Sequence, residues 1–298
     1  MERARVAVVG SANMDLVAKA PVLPRPGETV LGGEFVTVPG GKGANQAIAA
    51  SRAGASTRFL GAIGSDAFGV TLKARIGAAG VDTSLLRIVY GASGVALITV
   101  DASGENTIVV APGANAAFTD LTADERAALR DADVMVAQLE VPVETVAEAA
   151  ATARAGGTRV VLNAAPARPL PDELLATVDL LVVNETEAAA ISGETRPEPL
   201  LDRVPRAVLT LGPRGAWYVD RDGTSVQIPG VRVETVDSTA AGDAFTAALA
   251  VAWAEGRPLV DAVSWACAAG AACARKLGAS TALPTRPEID QLSSARGA

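Results

Sequence analysis

The chain has 298 residues, with 26 Lys and Arg against 33 Asp and Glu, so its formal net charge is −7. Aromatic residues make up only 3% of it, so a core must be built mainly from Ala, Val, Leu and Ile. The absence of histidine excludes Ser-His-Asp and Cys-His catalysis and histidine-bound zinc. Acid–base chemistry must therefore be carried out by Asp, Glu, Lys, Tyr or Cys.

Charge and composition also bear on partners and compartment. The acidic balance argues against a nucleic-acid partner, which would favour a basic face. The cysteines, Cys267 and Cys273, do not indicate a disulfide framework, and this points to a reducing compartment. The first residues lack the apolar stretch of a signal peptide, and no uncharged apolar run is long enough for a membrane span. We therefore expect a cytoplasmic protein that has no membrane segment.

The first part of the chain alternates short strands with irregular segments. Residues 11–38 are rich in Pro and Gly and contain short alternating stretches that are typical of edge strands. Residues 94–111 predict a hairpin around a turn at 101–104. We expect these two segments to form a small separate sheet. The other elements predicted here are a strand at 6–9, a helix at 44–53, a loop at 61–69 and a helix at 69–79.

From about residue 130 onward, strands alternate with helices. This alternation predicts βαβ units and a parallel sheet with right-handed crossovers. The expected fold class is α/β, with a central, mostly parallel sheet flanked by helices, and residues 1–298 as a single domain. The tail after Gln291 is expected to be frayed. The predicted strands are 134–139, 159–162, 179–183 and 207–211, and the predicted helices are 143–155, 172–176, 185–191, 241–255 and 258–276.

The first candidate motif, Gly40-Gly41-Lys42-Gly43-Ala44-Asn45, directly precedes a predicted helix. Glycines let the backbone approach a ligand closely, and a helix N-terminus offers free N–H groups and partial positive charge. Lys42 and Asn45 add polar groups to a turn otherwise built from Ala and Gly. An ordinary turn and a dinucleotide loop are alternative interpretations, although Gly-x-Gly-x-x-Gly is absent. The motif indicates a ligand site.

The second candidate motif, Asp237-Ser238-Thr239-Ala240-Ala241-Gly242-Asp243, leads into an apolar helix. Asp243 falls near the first turn of this helix, where an acid can simply complement the helix dipole. A pure cap does not need three small residues before it, whereas a phosphate on bare N–H groups needs that clearance. A carboxylate beside an anion site is also the arrangement for phosphoryl transfer to an alcohol.

Three further sets of polar residues follow predicted strands, where open α/β sheets bind ligands. Asn184 and Glu187 could hold a hydrated Mg²⁺ beside phosphates, or they could simply start a helix. The turn 210–215 could line a nucleotide, with Arg214 near a phosphate. Asn13, Asp15 and Glu140 could pair with the hydroxyl groups of a polyhydroxy ligand, although each is individually common in turns.

Taken together, these motifs resemble those of the ribokinase-like carbohydrate kinase family. The resemblance runs from about Val6 to Pro284 and is carried by 40–47, 184–187 and 237–243, with Ala240 where many members have Gly. It implies a Rossmann-like ribokinase fold, with the segments 11–38 and 94–111 forming a lid over the sugar and a homodimer contact.

The activity that the resemblance implies is the ATP-dependent phosphorylation of D-ribose at O5. A kinase for deoxyribose, fructose, a keto-deoxy acid or a nucleoside is the alternative within enzymes. A sugar or nucleotide sensor without catalysis is an alternative of another class, but it would have no need of the base. A Rossmann-type dehydrogenase conflicts with the missing dinucleotide fingerprint.

The resemblance also implies roles for individual residues. Asp243 would be the base that deprotonates the 5-hydroxyl group, and the backbone N–H groups of Ala240, Ala241 and Gly242 would form the anion hole. The implied sugar-binding residues are Asn13, Asp15, Gly41, Lys42, Gly43, Ala44, Asn45, Glu140 and Asp243. Those implied for ATP are Asn184, Thr210, Leu211, Gly212, Pro213, Arg214, Gly215, Gly242, Asp243 and Cys267.

Two metal sites are implied in the same way. Glu187 would hold Mg²⁺ through water. Ala282 falls where the family often supplies a hydroxyl ligand to an activating monovalent cation, K⁺, and Cys267 falls where an Asn often lies near adenine. The implied K⁺ ligands are the carboxylate of Asp237 and the carbonyl groups of Thr239, Cys273, Lys276 and Gly278.

Overall fold

The computed structural model describes residues 3–295 and places their strands in a nine-stranded and a four-stranded sheet. In chain order the strands are β1 (Arg5–Val9), β2 (Asn13–Lys19), β3 (Phe35–Gly40), β4 (Ser56–Gly64), β5 (Leu86–Val89), β6 (Gly94–Val100), β7 (Asn106–Ala111), β8 (Val134–Ala137), β9 (Arg159–Asn163), β10 (Leu180–Asn184), β11 (Arg206–Thr210), β12 (Gly215–Asp220) and β13 (Ser225–Pro229). The α-helices of the described part are α1 (Lys42–Arg52), α2 (Ala67–Ala78), α3 (Ala123–Asp131), α4 (Val143–Ala155), α5 (Asp172–Leu175), α6 (Glu185–Ser192), α7 (Ala241–Ala254), α8 (Leu259–Ala274) and α9 (Arg286–Ser294).

The large sheet has the strand order β13-β12-β11-β10-β9-β8-β1-β4-β5. Its strands from β11 to β5 are parallel, and β12 and β13 add an antiparallel edge. Helices α1, α2, α7, α8 and α9 cover one face, and α3 to α6 cover the other. Because both faces are covered, the central strands are continuous apolar runs. The predicted α/β fold with a mostly parallel sheet is confirmed, and no helix within residues 3–295 has the length and apolar character of a membrane span.

The small sheet has the order β3-β2-β6-β7, so the separate sheet predicted from residues 11–38 and 94–111 is confirmed. Only three residues separate β1 from β2, which attaches this sheet directly to the carboxyl end of a central strand. Strand β7 lies at its edge, and every residue of β7 is exposed, including Ile108, Val109 and Val110. An exposed apolar edge strand can pair with another chain.

The predicted loop at 61–69 is wrong in its first part, because β4 continues to Gly64 and α2 begins at Ala67. Gly61 and Gly64 are buried in this strand. A Cβ built on Gly61 would lie 2.5 Å from the carbonyl oxygen of Gly10 on the neighbouring segment. Glycine here allows two backbones to approach closely rather than marking a turn.

The expected fraying after Gln291 is also wrong, because α9 continues beyond it to residue 294. The side chain of Ile289 is buried, and the indole nitrogen of Trp265 donates a hydrogen bond to Asp290 at 2.8 Å. These contacts fix the helix against α8. Residues 296–298 of the predicted tail lie outside the described residues. The sequence analysis also did not predict β5, the hairpin of β12 and β13, or α3.

Two non-glycine residues within 3–295 have left-handed backbone conformations, Asp120 with φ 47° and Ala240 with φ 60°. Alanine in this region costs roughly 1–2 kcal/mol, whereas Asp visits it more readily. Glycine removes the strain but loses more conformational entropy on folding. The net gain in the free energy of unfolding from glycine at position 240 is therefore smaller than the strain energy that it removes.

We expect Ala240→Gly to raise the free energy of unfolding by up to about 1 kcal/mol, and the melting temperature by roughly 2 °C, because it relieves this strain. Thermal denaturation of the variant beside the unmodified protein measures the change. Asp120→Gly is the matched control and should give a smaller gain. A lower melting temperature for Ala240→Gly would contradict the strain argument.

Candidate active site

The candidate site lies at the carboxyl ends of the parallel strands, where sheets of this kind bind ligands. Strands β1 and β8 are followed by polar residues, and β9, β10 and β11 end in polar residues. These residues are Ser11, Asn13, Gln138, Glu140, Asn163, Asn184 and Thr210.

The carboxylate of Asp243 lies buried in the first turn of α7, with 7% of the residue exposed. The amide Nδ2 of Asn45 donates a hydrogen bond to Oδ2 of Asp243 at 3.0 Å, and Nε2 of Gln46 donates one to Oδ1 of Asp243 at 2.9 Å. The first and second candidate motifs therefore meet, as expected for Asp243 and Asn45. Burial raises the pKa of Asp243 above its ordinary value, although the charge of Lys42 and the two amide hydrogen bonds oppose this shift.

Glu140 and Asn13 are linked by hydrogen bonds beside this carboxylate. Oε2 of Glu140 accepts from the hydroxyl of Ser11 at 2.5 Å and from the backbone nitrogen of Lys42 at 3.1 Å. Nδ2 of Asn13 donates to the same oxygen at 3.4 Å, and its Oδ1 accepts from Asn115 at 2.7 Å. Neither Ser11 nor Asn115 was a site candidate in the sequence analysis.

Asn45 has one buried polar atom with no partner. Its Nδ2 faces Asp243, but no described residue donates a hydrogen bond to its Oδ1. A buried acceptor without a donor is unfavourable, and a ligand hydroxyl group would satisfy it. Asn45 is therefore suited to hold a hydroxyl group beside the Asp243 carboxylate.

Lys42 and Asp15 complete the charged part of the site. Burial lowers the pKa of Lys42, but the carboxylates of Asp243, Glu140 and Glu187 together raise it above its ordinary value. Lys42 therefore remains a cation close to these three carboxylates. Burial raises the pKa of Asp15 from 3.8 to about 7, and the charges of Glu140 and Asp243 add to this effect.

The glycines of the first motif serve contacts within the protein. A Cβ on Gly41, whose φ is 92°, would lie 2.7 Å from the backbone nitrogen of Asn13. A Cβ on Gly43 would lie 2.5 Å from the nitrogen of Ser11, and the Ala44 N–H donates to the Ser11 carbonyl at 2.8 Å. The expected clearance for a ligand is therefore not the reason for glycine at 41 and 43. The space that a side chain would need at positions 41 and 43 is occupied by the backbone of the segment that follows β1.

The start of α7 leaves only part of the expected anion hole open. The Ala241 N–H donates to the Ser238 carbonyl at 3.1 Å, so it is already engaged. No described residue accepts a hydrogen bond from the N–H of Ala240 or Gly242. A Cβ built on Gly242 would meet no heavy atom within 4 Å, so there is open space over this turn. Two backbone amides beside Asp243 can therefore face an anion.

At the end of β10, Asn184 and Glu187 form a capping box that starts α6, with both hydrogen bonds at 2.8 Å. Burial raises the pKa of Glu187, and no described residue donates to its Oε1. The Arg214 guanidinium bonds both carboxylate oxygens of Glu185 at 2.9 Å, which joins the turn 210–215 to α6. Cys267 is buried on α8.

The loops with the expected cation ligands also meet. Oδ1 of Asp237 accepts from the N–H and the hydroxyl of Thr239 at 2.9 and 2.6 Å, and Oδ2 accepts from the Gly278 N–H at 2.9 Å. A carboxylate has about four acceptor positions, so about one remains on Oδ2. Cys273 lies against the Thr239 carbonyl, and the buried Ala282 supplies no hydroxyl. Among residues 3–295 no group of three Cys, Asp or Glu side chains could hold a metal ion.

The buried Asp243 carboxylate beside the open turn at Gly242 suits phosphoryl transfer to a hydroxyl group. The family model described as "pfkB family carbohydrate kinase" matches residues 3–286. The chain therefore belongs to the pfkB family of carbohydrate kinases.

The chain is similar over almost its whole length to ribokinases. It is 40% identical to the ribokinase of Bacillus subtilis, over 97% of this chain and 99% of the relative. It is 38% identical to that of Haemophilus influenzae, over 96% and 97% of the two chains. The structure of Arabidopsis thaliana ribokinase complexed with ribose and ATP matches it with a TM-score of 0.92 and 30% identity, over 98% of this chain and 99% of the other.

The raised pKa of Asp15 makes stability depend on pH. The folded protein retains this proton at pH values where the unfolded chain has lost it, so the free energy of unfolding falls as the pH rises from 3.8 to about 7. We expect Asp15→Asn to be more stable than the unmodified protein by roughly 1–3 kcal/mol above pH 7, and the difference to close below pH 4. Urea denaturation at several pH values measures it.

A suitable control is Asp101→Asn, in the turn between β6 and β7 of the same small sheet. Hydrogen bonds from Ser103 lower the pKa of Asp101, so this group stabilises the fold at higher pH and loses the effect as the pH falls. The two variants should therefore change the pH dependence in opposite directions. The prediction would be contradicted if the free energies of unfolding of Asp15→Asn and the unmodified protein differed by the same amount at every pH.

Proposed function

We propose that this protein is an ATP-dependent kinase that phosphorylates D-ribose at O5 and gives D-ribose 5-phosphate and ADP. The observation that carries the proposal is the Asp243 carboxylate, which accepts a hydrogen bond from Asn45 at 3.0 Å and lies beside the open turn at Gly242. The similarity to ribokinases over nearly the whole chain supports ribose as the sugar.

In this reaction the O5 hydroxyl attacks the γ-phosphorus of ATP. The O5–phosphorus bond forms while the bond from the γ-phosphorus to the bridging oxygen breaks, and ADP leaves with the electron pair. The hydroxyl proton passes to Asp243. Burial makes the carboxylate a better proton acceptor, because it raises the pKa of Asp243. The open N–H groups of Ala240 and Gly242 face the charge of the transferred group.

The sugar side of the site suits a free pentose. Asn45 offers an unpaired acceptor, and Asn13 and Glu140 are held in fixed orientations by Asn115 and Ser11. Asp15 and Lys42 add further hydrogen-bonding groups. A site built to pair hydroxyl groups discriminates against analogues that lack one. Deoxyribose, fructose, a keto-deoxy acid and a nucleoside are the alternative substrates.

The oxygen ligands at Glu187 and Asp237 suit the two implied metal ions. Glu187 has a desolvated carboxylate with Oε1 open, which fits a hydrated Mg²⁺, and Asp237 has about one acceptor position left for K⁺ beside backbone carbonyls. When bound, Mg²⁺ neutralises charge on the phosphates. The proposed K⁺ carbonyl ligands are those of Thr239, Cys273, Lys276 and Gly278. The ATP contacts of Asn184, the turn 210–215 and Cys267 are proposals of the same kind.

The test of the function is an assay with ATP, Mg²⁺ and K⁺ against ribose, deoxyribose, fructose, a keto-deoxy acid and nucleosides. We expect ribose to be turned over most efficiently, and Asp243→Asn to lower kcat about 100- to 10,000-fold, because the base is lost while ATP binding is retained. Asp220→Asn is the matched control and should keep its kcat, because this buried acid lies at the end of β12 opposite the turn 210–215.

Two results of this assay would contradict the proposal. Good turnover of another substrate without turnover of ribose would exclude the ribose assignment. Retained activity in Asp243→Asn would exclude Asp243 as the base. Ribose binding measured by calorimetry without ADP production would favour the sensor.

We also propose that the small sheet forms a lid over the sugar and a homodimer contact, in a cytoplasmic protein whose residues 1–298 act as one domain. The exposed apolar side chains of Ile108 and Val109 on β7 favour pairing with a second copy. Val109→Lys should therefore shift the dimer to monomer in light scattering after size-exclusion chromatography. Val226→Lys, on the edge strand β13, is the control and should leave the dimer intact. A monomeric unmodified protein, or a dimeric Val109→Lys variant, would contradict the contact.

A further inference from the structure

Two glutamines that the sequence analysis did not select lie behind the Asp243 carboxylate. Gln46 is on α1 and Gln138 directly follows β8, and both are fully buried. Nε2 of Gln46 donates to Oδ1 of Asp243 at 2.9 Å and to Oδ1 of Asn163 at 3.0 Å. Oε1 of Gln46 accepts from Nε2 of Gln138 at 2.6 Å. The side chains form a hydrogen-bonded series that ends on the base.

The direction of this series follows from the charge at its end. An ionised carboxylate only accepts hydrogen bonds, so Gln46 must turn its NH₂ group toward Asp243. Its carbonyl oxygen then faces Gln138, which must turn its own NH₂ group toward Gln46. A rotated Gln46 amide would place oxygen against the carboxylate and NH₂ against NH₂.

This orientation leaves Gln138 with an unpaired atom. Its Oε1 is buried, and no described residue donates a hydrogen bond to it. It lies against Gly10, where an added Cβ would come within 2.0 Å of this oxygen. An unpaired buried carbonyl is unfavourable, and an apolar residue of similar shape would avoid it. A need for the NH₂ group of Gln138 at this position explains why the unfavourable carbonyl is present.

We propose that Gln46 is a positioning residue that holds the Asp243 carboxylate in one orientation and in its ionised form, and that Gln138 acts through Gln46 by fixing the direction of its amide. This inference rests on the proposed function, because it concerns the base of that reaction. Gln46 donates a hydrogen bond to the base itself, and Gln138 donates one to Gln46.

Other titratable groups face Asp243 from the elements packed against it. Lys42 on α1 favours the ionised carboxylate, whereas Glu140 after β8 disfavours it. Asp15 on β2 is close enough for Asp243 to affect its pKa. Burial raises the pKa of the Cys273 thiol on α8 to about 12, so it stays neutral. The variants below leave all of these groups unchanged, so a shifted pH profile reports the lost amide.

The test replaces each glutamine by methionine, which has a similar length but no donor. We expect Gln46→Met to lower kcat about 10- to 100-fold and to move the acid limb of the kcat profile up by about one to two pH units, because a hydrogen bond to the charged base is lost. Losing a hydrogen bond to the ionised carboxylate raises the pKa of Asp243. Because the base works in its deprotonated form, the acid limb then lies at higher pH. The KM for ATP should change little. Thr57→Val, which removes another buried unpaired polar group far from the site, should change neither kcat nor the limb.

The double variant tests whether Gln138 acts through Gln46. Gln138→Met alone should lower kcat about 3- to 10-fold, and it should add no further loss when residue 46 is already methionine. Losses that multiply in the double variant would overturn the role of Gln138. An acid limb that stays in place in Gln46→Met, with kcat lowered equally at every pH, would overturn the role of Gln46.

The outcome is distinguishable from failure of the proposed function. If the unmodified protein turns over another sugar, the same profiles are measured with that sugar. If it turns over none, the carboxyl-carbon NMR signal of Asp243, assigned with Asp243→Asn, is titrated in the unmodified protein and in Gln46→Met. A higher pKa of Asp243 in the variant is expected, and an equal pKa in both proteins would overturn the inference.

Discussion

Burying the charge of Asp243 is the constraint on which the site depends. A buried carboxylate is unfavourable unless hydrogen bonds and opposite charge compensate for the water that it loses. Asn45 and Gln46 donate those hydrogen bonds from α1, and Lys42 adds the opposite charge. These residues are about 200 positions from Asp243 along the chain, so the carboxylate is compensated only when α1 and α7 pack on the same face of the sheet.

The sheet brings the remaining groups to the same place. Glu140 follows β8 and reaches Ser11 after β1, and these two strands are parallel neighbours. Asp15 lies on β2 of the small sheet, and only three residues separate β2 from β1 of the large sheet. A change in the position of the small sheet would therefore move Asp15 relative to Glu140 and Asp243. The arrangement of these three carboxylates therefore depends on the small sheet.

The fold class could be predicted, and the main candidate residues could be selected, because their signals are local. Asp243, Asn45 and Glu187 lie in contiguous motifs, and apolar runs mark the parallel strands. Ser11 and Gln138 could not be selected in this way, because they lie outside these motifs and their partners come from distant parts of the chain. Gln46 lies in the stretch 40–47, but its contact with Asp243 is visible only in the structure. Gly61 was misread since glycine in a strand and glycine in a turn look alike in sequence. The capping box at Asn184 and Glu187 fulfilled the alternative interpretation, a helix start, without excluding a ligand at Glu187 Oε1.

A crystal structure of the protein with ribose and a non-hydrolysable ATP analogue tests the central claim most directly. The account predicts that O5 of the sugar lies within hydrogen-bonding distance of the Asp243 carboxylate, with the terminal phosphate against the N–H group of Gly242. A sugar bound with O5 turned away from Asp243, or a terminal phosphate held elsewhere, would contradict it.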